Sequence, residues 1–386
     1  MHATEAPIRA TATDVATAAP AGSDPRLVAL LERSGAEVLV SADPGTVKLL
    51  TGHHGDVETG PSPFLHPPVV VATATDAPLL ICAEDEREWA PHVRHLPPAA
   101  GVELDPVGRH ELAVVAALAE LRVLGRRTIV DHVALDTALQ HRLERVVPAV
   151  GLGALRAVKT PAEQAGVAAA VRLADAGQHA ARQASWDGHD ELDVWIAART
   201  AIEREAGGRV PLLADVLSGR RTETVSGAPR ARRLSDPDPV LVDLAPRLHG
   251  FWADSCATWA VGEPTDALRD AHAVCEEALH AALEATRAGA LAGDVDAAAR
   301  AAAARHGAEY AHHTGHGVGF AYHEEPRLVP GATRVLEAGM VVAIEPGCYR
   351  RGVGARLEVV AVVGEDGAEV LSGHELALDD PPRSGA

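Results

Sequence analysis

Four carboxylates interrupt runs of residues that belong in a buried sheet. Asp243 follows Val240-Leu241-Val242, and Glu345 follows Met340-Val341-Val342-Ala343-Ile344. Glu358 precedes Val359-Val360-Ala361-Val362-Val363, and Asp254 stands eleven positions after Asp243 in FWADSC. Short apolar runs bounded by Gly and Pro read as buried strands. An unpaired carboxylate in such a strand is costly, so whatever fold the chain adopts must supply positive charge there. The midpoint between Asp243 and Asp254 falls in the turn-like Pro-Arg-Leu-His-Gly, and that between Glu345 and Glu358 near Arg351-Gly352. Two hairpins are expected, each bringing its two acids roughly opposite one another. Like charges facing across strands repel, which again calls for a cation between them. Two divalent ions would need about this many carboxylates, because some must bridge. The matching chemistry is hydrolysis by a metal-bound hydroxide.

The remaining candidates lie close by. His316 sits in Gly-His-Gly, where the missing side chains permit close backbone approach. His312, His313 and His323 are neighbours in sequence, although any single one reads as readily as a core or surface histidine. An oxygen-rich set with one imidazole suits Mn²⁺, Co²⁺, Fe²⁺ or Zn²⁺. Arg356 is two residues before Glu358, hence on the same strand face, and can orient or neutralise a carboxylate. Glu324 and Glu325 read as structural or solvated. The four cysteines, Cys82, Cys256, Cys275 and Cys348, make no CxxC pair and no disulfide framework.

A chain of 386 residues suggests two domains. Residues 1–24, rich in Ala, Thr and Pro, read as a disordered leader. Helix 26–34, strands 37–41, 69–74 and 79–82, helix 111–124 and strand 128–131 alternate as in an α/β domain over 25–158. Thr160-Pro161 with Glu163 is a capping box that opens a helix to about 185. A second helix spans 190–207, and 211–239 reads as irregular. After the first hairpin come helices 266–287 and 295–306, then the His/Gly loop and the second hairpin. The catalytic part, 159–386, thus has two halves, each helix, helix, hairpin. The net charge of -19 argues against nucleic acid and anionic membranes as partners. The first thirty residues lack a signal-peptide pattern, and no apolar run is long enough to span a bilayer. A cytoplasmic setting is expected.

Taken together, Val-Asp-Leu with Asp-Ser-Cys eleven on, Gly-His-Gly-Val-Gly, Tyr-His-Glu-Glu-Pro, Ala-Ile-Glu-Pro-Gly and Arg-Leu-Glu-Val resemble the pita-bread metallohydrolases. These are methionine aminopeptidases, Xaa-Pro aminopeptidases, prolidases and creatinase. The resemblance covers roughly 161–373. The stretch from Ser41 to Gly52 resembles the creatinase-type N-terminal domain and favours the Xaa-Pro aminopeptidase, prolidase and creatinase branch. The implied fold is an α/β N-terminal domain plus an α+β pita-bread C-terminal domain.

The resemblance also implies roles. Asp243 chelates one ion, Asp254 and Glu358 bridge both, and His316 and Glu345 complete the other. The bridging water is the nucleophile and Glu345 takes its proton. His323 hydrogen-bonds the substrate carbonyl or the tetrahedral oxyanion. His312 lies beside the pocket for the residue after the scissile bond. Two divalent ions are implied, Mn²⁺ first, with Co²⁺, Zn²⁺ or Fe²⁺ as alternatives. A homodimer acting on Xaa-Pro dipeptides or short peptides is the implied enzyme.

One departure bears on substrate. Family peptidases carry a histidine about eighteen residues before the first metal aspartate. Here no histidine lies between His189 and His249, and Ser226 or a neighbour is the equivalent. Arg220, Arg221 or Thr222 could supply a contact instead, for instance to a carboxylate, against the plainer reading of a solvated arginine loop. The rival readings are a hydrolase or lyase of a non-peptide small molecule, as in creatinase or ectoine hydrolase, and a non-catalytic binding module. The second tends to lose metal carboxylates, and all five positions are filled here.

Overall fold

The computed structural model describes residues 24–55, 68–82, 94–96, 116, 118, 119, 125–131, 143, 145–148 and 151–379. Residues 1–23 of the expected leader lie outside this set. Its last residue, Asp24, is buried and caps the helix Pro25–Ser34 by accepting from Arg26 N. The expected helix 111–124 also lies outside, apart from residues 116, 118 and 119, which are helical.

The N-terminal strands are β1 (Val38–Ser41), β2 (Val69–Thr73), β3 (Leu79–Ile81), β4 (Arg94–Leu96), β5 (Thr128–Val130) and β6 (Val146–Val147). They form one sheet in the order β4-β3-β2-β1-β5-β6. β1 pairs antiparallel with β2 and parallel with β5, a mixed sheet that needs crossovers on its parallel side. Two short helices were not legible in advance. Pro44–Thr51 starts with Asp43 as N-cap and Pro at its first position, and Leu152–Ala157 precedes the capping box.

Beyond residue 158 the chain repeats a motif. The helix Pro161–Ala184 begins with the expected capping box: Glu163 N donates to Thr160 Oγ1 and Thr160 N to the Glu163 carboxylate. The helix Glu191–Ala206 ends at Gly207, whose φ of 74° relieves the last turn. Both pack on a sheet of β7 (Leu212–Ser218), β8 (Pro239–Leu248) and β10 (Cys256–Ala260), with the short β9 (Phe251–Trp252) closing the hairpin on β8. β7 corrects the reading of 211–239 as irregular. Its polar Asp215 breaks the apolar run, and only pairing along the whole of β8 makes it a strand.

The second half uses the helices Asp266–Ala285 and Ala292–Ala304. They cover β11 (Gly315–Gly317), β12 (Glu324–Leu328), β13 (Val341–Ile344), β14 (Gly347–Arg350), β15 (Val353–Arg356), β16 (Val359–Val363) and β17 (Ala368–Val370). Their faces toward the sheet carry Ala271, Val274, Ala278, Ala299 and Ala302, all buried, against Val342, Ile344 and Val359. Alanines let helix and sheet approach closely at no side-chain entropy cost. In the first half Val240, Val242 and Leu244 are fully buried with Trp259, each worth on the order of 1.5–3 kcal/mol. One further cluster runs across residue 158: Leu27, Leu39, Val47 and Leu50 share a core with Val167, Phe251, Phe320 and Val341.

The two halves meet edge to edge. Glu358 N donates to Cys256 O at 2.8 Å, and Thr258 Oγ1 exchanges bonds with Arg356 N and O, each at 3.0 Å. This seam brings the two acidic hairpins together.

Candidate metal centre

The first hairpin turns at His249 (φ 48°) and Gly250 (φ 85°). Two positive φ angles in a two-residue loop match the right-handed strand twist. This register sets Cys256, rather than Asp254, opposite Asp243. Asp254 is two residues off the expected facing position, which places it diagonally across from Asp243. In the second hairpin the register holds through a break at Pro346. Ile344 faces Val359 and Gly347 faces Arg356, which leaves Glu345 and Glu358 facing at the interruption. His316 comes from β11, squeezed between β12 and β13. A Cβ on Gly315 would stand 2.1 Å from Ala343 O, and one on Gly317 2.2 Å from Glu325 O. Glycine on both sides of the histidine is therefore a packing requirement.

These elements gather ligand atoms of Asp254, His316 and Glu358 within 4.8 Å of one another, all three side chains buried. His316 Nε2 is 3.5 Å from both Asp254 Oδ2 and Glu345 Oε1. Its Nδ1 lies 2.9 Å from the Gly317 carbonyl. That bond assigns the proton to Nδ1 and leaves the Nε2 lone pair aimed at the carboxylates, as a metal ligand requires. Both Glu358 oxygens and His316 Nε2 are buried without a hydrogen-bond partner among the described residues. Burial pushes the Glu358 and Asp254 carboxyls well above the usual range, and the neighbouring acids add to this. Asp243 is raised to about 6 by burial, with Arg356 opposing. For Glu345 burial also pushes upward, but the His313 hydrogen bond and the His316 and Arg356 charges hold it at about 2. Burial lowers His316 to about 4, so it is a neutral imidazole. Such a set is stable as anions only around a cation. Oxygen and imidazole donors without thiolate fit Mn²⁺, Fe²⁺, Co²⁺ or Zn²⁺.

Arg356 supplies the protein's own positive charge. Its Nη2 is 2.5 Å from Asp243 Oδ2 and its Nε 3.8 Å from Glu345 Oε2. Its Nη1 donates to Tyr349 Oη at 3.0 Å and Val225 O at 2.6 Å. His312 joins this chain through Tyr349 Oη at 3.1 Å, so it sits behind the arginine rather than among the cluster atoms. His323 packs against His316 at a tilt of 42° with ring centroids 3.8 Å apart, and stacks on Tyr322 at 4.1 Å. Burial lowers it to about 3, so it is neutral and able to donate one N–H. Sequence reasoning assigned no role to His313, whose Nε2 is 2.8 Å from Glu345 Oε1, or to Tyr349. Of two adjacent histidines, spacing alone does not tell which one points inward. The loop that carries them is held by Arg300, which donates to the Tyr310 and His312 carbonyls at 2.7 Å each and pairs with the buried Asp296.

Residues 165–365 match the model of Metallopeptidase family M24. The chain belongs to this family. It is 39% identical over 197 residues to the probable dipeptidase PepE of Mycobacterium tuberculosis, covering 50% of this chain and 52% of that protein. It is 30% identical over 227 residues to the Xaa-Pro dipeptidase of Pyrococcus furiosus, covering 58% and 65%. The matched stretch spans about half the length of the Mycobacterium relatives. Among solved structures, the dipeptidase PepE of Mycobacterium ulcerans superposes with a TM-score of 0.75 at 28% identity, over 92% of this chain and 95% of that one. A dipeptidase from Pyrococcus horikoshii gives 0.78 at 23% identity, over 92% and 98%. The M24 pita-bread architecture with its N-terminal α/β region thus extends over nearly the whole chain.

The arginine loop takes the plainer of its two readings. Arg221 is bonded to the buried Glu191 and to Ala228 O, and Arg220 is exposed beside Glu223. Thr222 accepts from Gly354 N at 2.9 Å and tethers its 3-10 turn to β15. Each of the three thus has a structural partner within or beside the loop. Ser226 is exposed, next to the Val225 carbonyl that Arg356 holds.

Proposed function

We propose that this M24 chain is a dinuclear metal-dependent peptidase that cleaves Xaa-Pro dipeptides or the N-terminal Xaa-Pro bond of short peptides. The observation that carries the reading is the buried Glu358, with both oxygens unpartnered, beside Asp254 and the lone pair of His316. Asp243 would hold one ion, His316 and Glu345 the other, and Asp254 and Glu358 both; Mn²⁺ is the first choice. When bound, the ions supply Lewis-acid charge stabilisation and a water acidic enough to attack near neutral pH. Glu345, its carboxylate oriented by His313, would be the proton acceptor at this site. Arg356 keeps Asp243 ionised and fixes the hairpin carrying Glu345. His323 Nε2 or Nδ1 donates to the oxyanion that forms at the scissile carbonyl. His312, steered by Tyr349, borders the space for the residue after the scissile bond. A homodimer in the cytoplasm and a division near residue 158 complete the proposal. Among the described residues no helix is long and apolar enough to cross a membrane.

The serine at 226 favours a second reading, hydrolysis of a non-peptide small molecule. One experiment separates the two. Purified protein loaded with Mn²⁺ is assayed against Xaa-Pro dipeptides, longer Xaa-Pro peptides and small amides. Turnover of Xaa-Pro substrates at ordinary peptidase rates supports the first reading; turnover confined to a non-peptide amide replaces it.

A further inference from the structure

The sheet register leaves one more carboxylate on the face of the site. β7 and β8 pair antiparallel with Asp215 directly opposite Asp243. Directly opposite residues present their side chains to the same side of a sheet. Asp215 therefore faces the side from which Asp243 reaches the cluster, and its charge contributes to the raised pKa of Asp243. The two acids are answered differently. Asp243 has the Arg356 guanidinium. No hydrogen bond or ion pair among the described residues uses the Asp215 carboxylate, and it is half-buried, so a ligand can reach it. The Arg356 guanidinium is already committed to Asp243. An acid placed opposite another acid is unfavourable for folding; one left without a partner beside a substrate site is suited to a cation that arrives with the substrate.

We propose that Asp215 is a specificity-determining residue that accepts a positively charged group on the substrate residue preceding the scissile bond. The group is an ammonium or guanidinium, from the α-amino end or from a basic side chain. The proposal rests on the peptidase reading above. Asp243 on β8 would hold one ion, and the adjoining strand sets Asp215 one strand spacing away, about 4.7–4.9 Å. That is the reach of an amino group from a carbonyl held at the cluster. A charge-assisted hydrogen bond of this kind changes specificity about 10- to 100-fold.

The test compares Mn²⁺-loaded wild type with Asp215→Asn on Lys-Pro and on norleucine-Pro, which matches lysine in length but is uncharged. If the basic side chain is the source, wild type prefers Lys-Pro by about 10- to 100-fold in kcat/KM, and Asp215→Asn removes the preference. If the α-ammonium is the source, both substrates lose that factor in the variant. In either case manganese content remains as in wild type, and Tm does not fall, because the variant relieves the repulsion with Asp243. Unchanged kcat/KM for both substrates overturns the proposal, as does parallel loss of manganese, which would make Asp215 a metal group. If wild type turns over neither dipeptide, the peptidase reading fails by itself. Calorimetric binding of the same two dipeptides to both proteins then decides: affinity that depends on Asp215 upholds the cation site, and equal affinities reject it.

Discussion

Two glutamates, Glu324 and Glu358, are almost equally buried, at 4% and 1% exposure, yet they occupy opposite situations. Glu324 has Lys159 Nζ at 2.7 Å on one oxygen and Arg156 Nε at 3.3 Å from the other. It joins the strand after His323 to the segment that leads into the capping box. Among the described residues Glu358 has no ion pair and no hydrogen bond on either oxygen, and the charge of Arg356 acts on it only from a distance. Burial of a carboxylate therefore does not mark a functional site; burial without a protein partner does. Glu324 is completed by the chain itself, and Glu358 only by something the chain binds.

The comparison can be broken by removing each charge in turn. Glu358→Gln should abolish hydrolysis and lower bound manganese, because an amide cannot bring charge to two ions, while the metal-free fold persists with undiminished stability. Near-native turnover with full metal content would rule out the bridging role. Glu324→Gln should do the reverse. Leaving Lys159 buried without its anion costs about 3–5 kcal/mol, measurable as a lower denaturant midpoint with or without metal. A midpoint shift seen only in the loaded protein would tie Glu324 to the metal centre and erase the contrast.

His323→Ala should lower kcat by about 10²–10³ with manganese affinity preserved, since His323 packs against the His316 ring and no ion pair among the described residues joins it to the carboxylates. Loss of metal in that variant would make His323 a ligand, since its ligand atom also lies within 4.8 Å of those of His313 and His316. The smallest effect concerns pH. Asp243, Asp254 and Glu358 have folded-state pKa values raised by burial. Their contribution to stability is full below the unfolded carboxylate range near 4. It declines as pH rises through about 6 for Asp243 and higher for the other two. Glu345, held at about 2, acts oppositely, and its contribution is lost only on acidification below about 4. Metal-free protein should thus lose stability from about pH 4 to above 6, and manganese should abolish that slope. A flat profile without metal would contradict the cluster electrostatics.

Much of this arrangement was legible because carboxylates stood out in apolar runs. Asp243, Glu345 and Glu358 interrupt strands, Arg351-Gly352 marks a turn, and the glycines around His316 announce close backbone approach. What escaped depends on distant partners. β7 is a strand only because β8 lies beside it, and Asp215 acquires meaning only through that register. The offset between Asp243 and Asp254 was set by where the His249-Gly250 turn closed. His313 could not be told from His312 before Arg300 fixed their loop. The core that runs across residue 158 joins residues more than a hundred positions apart, such as Leu27 and Val341, which no local pattern encodes.

The central claim is that the cluster of Asp243, Asp254, His316, Glu345 and Glu358 exists to hold a pair of divalent cations. Isothermal titration of metal-free protein with Mn²⁺ tests it most directly, with Glu358→Gln as the control. The account predicts close to two ions per wild-type chain with at least one site far tighter than millimolar, and weakened binding in the variant. No site tighter than millimolar in wild type, or identical isotherms for the two proteins, would contradict it.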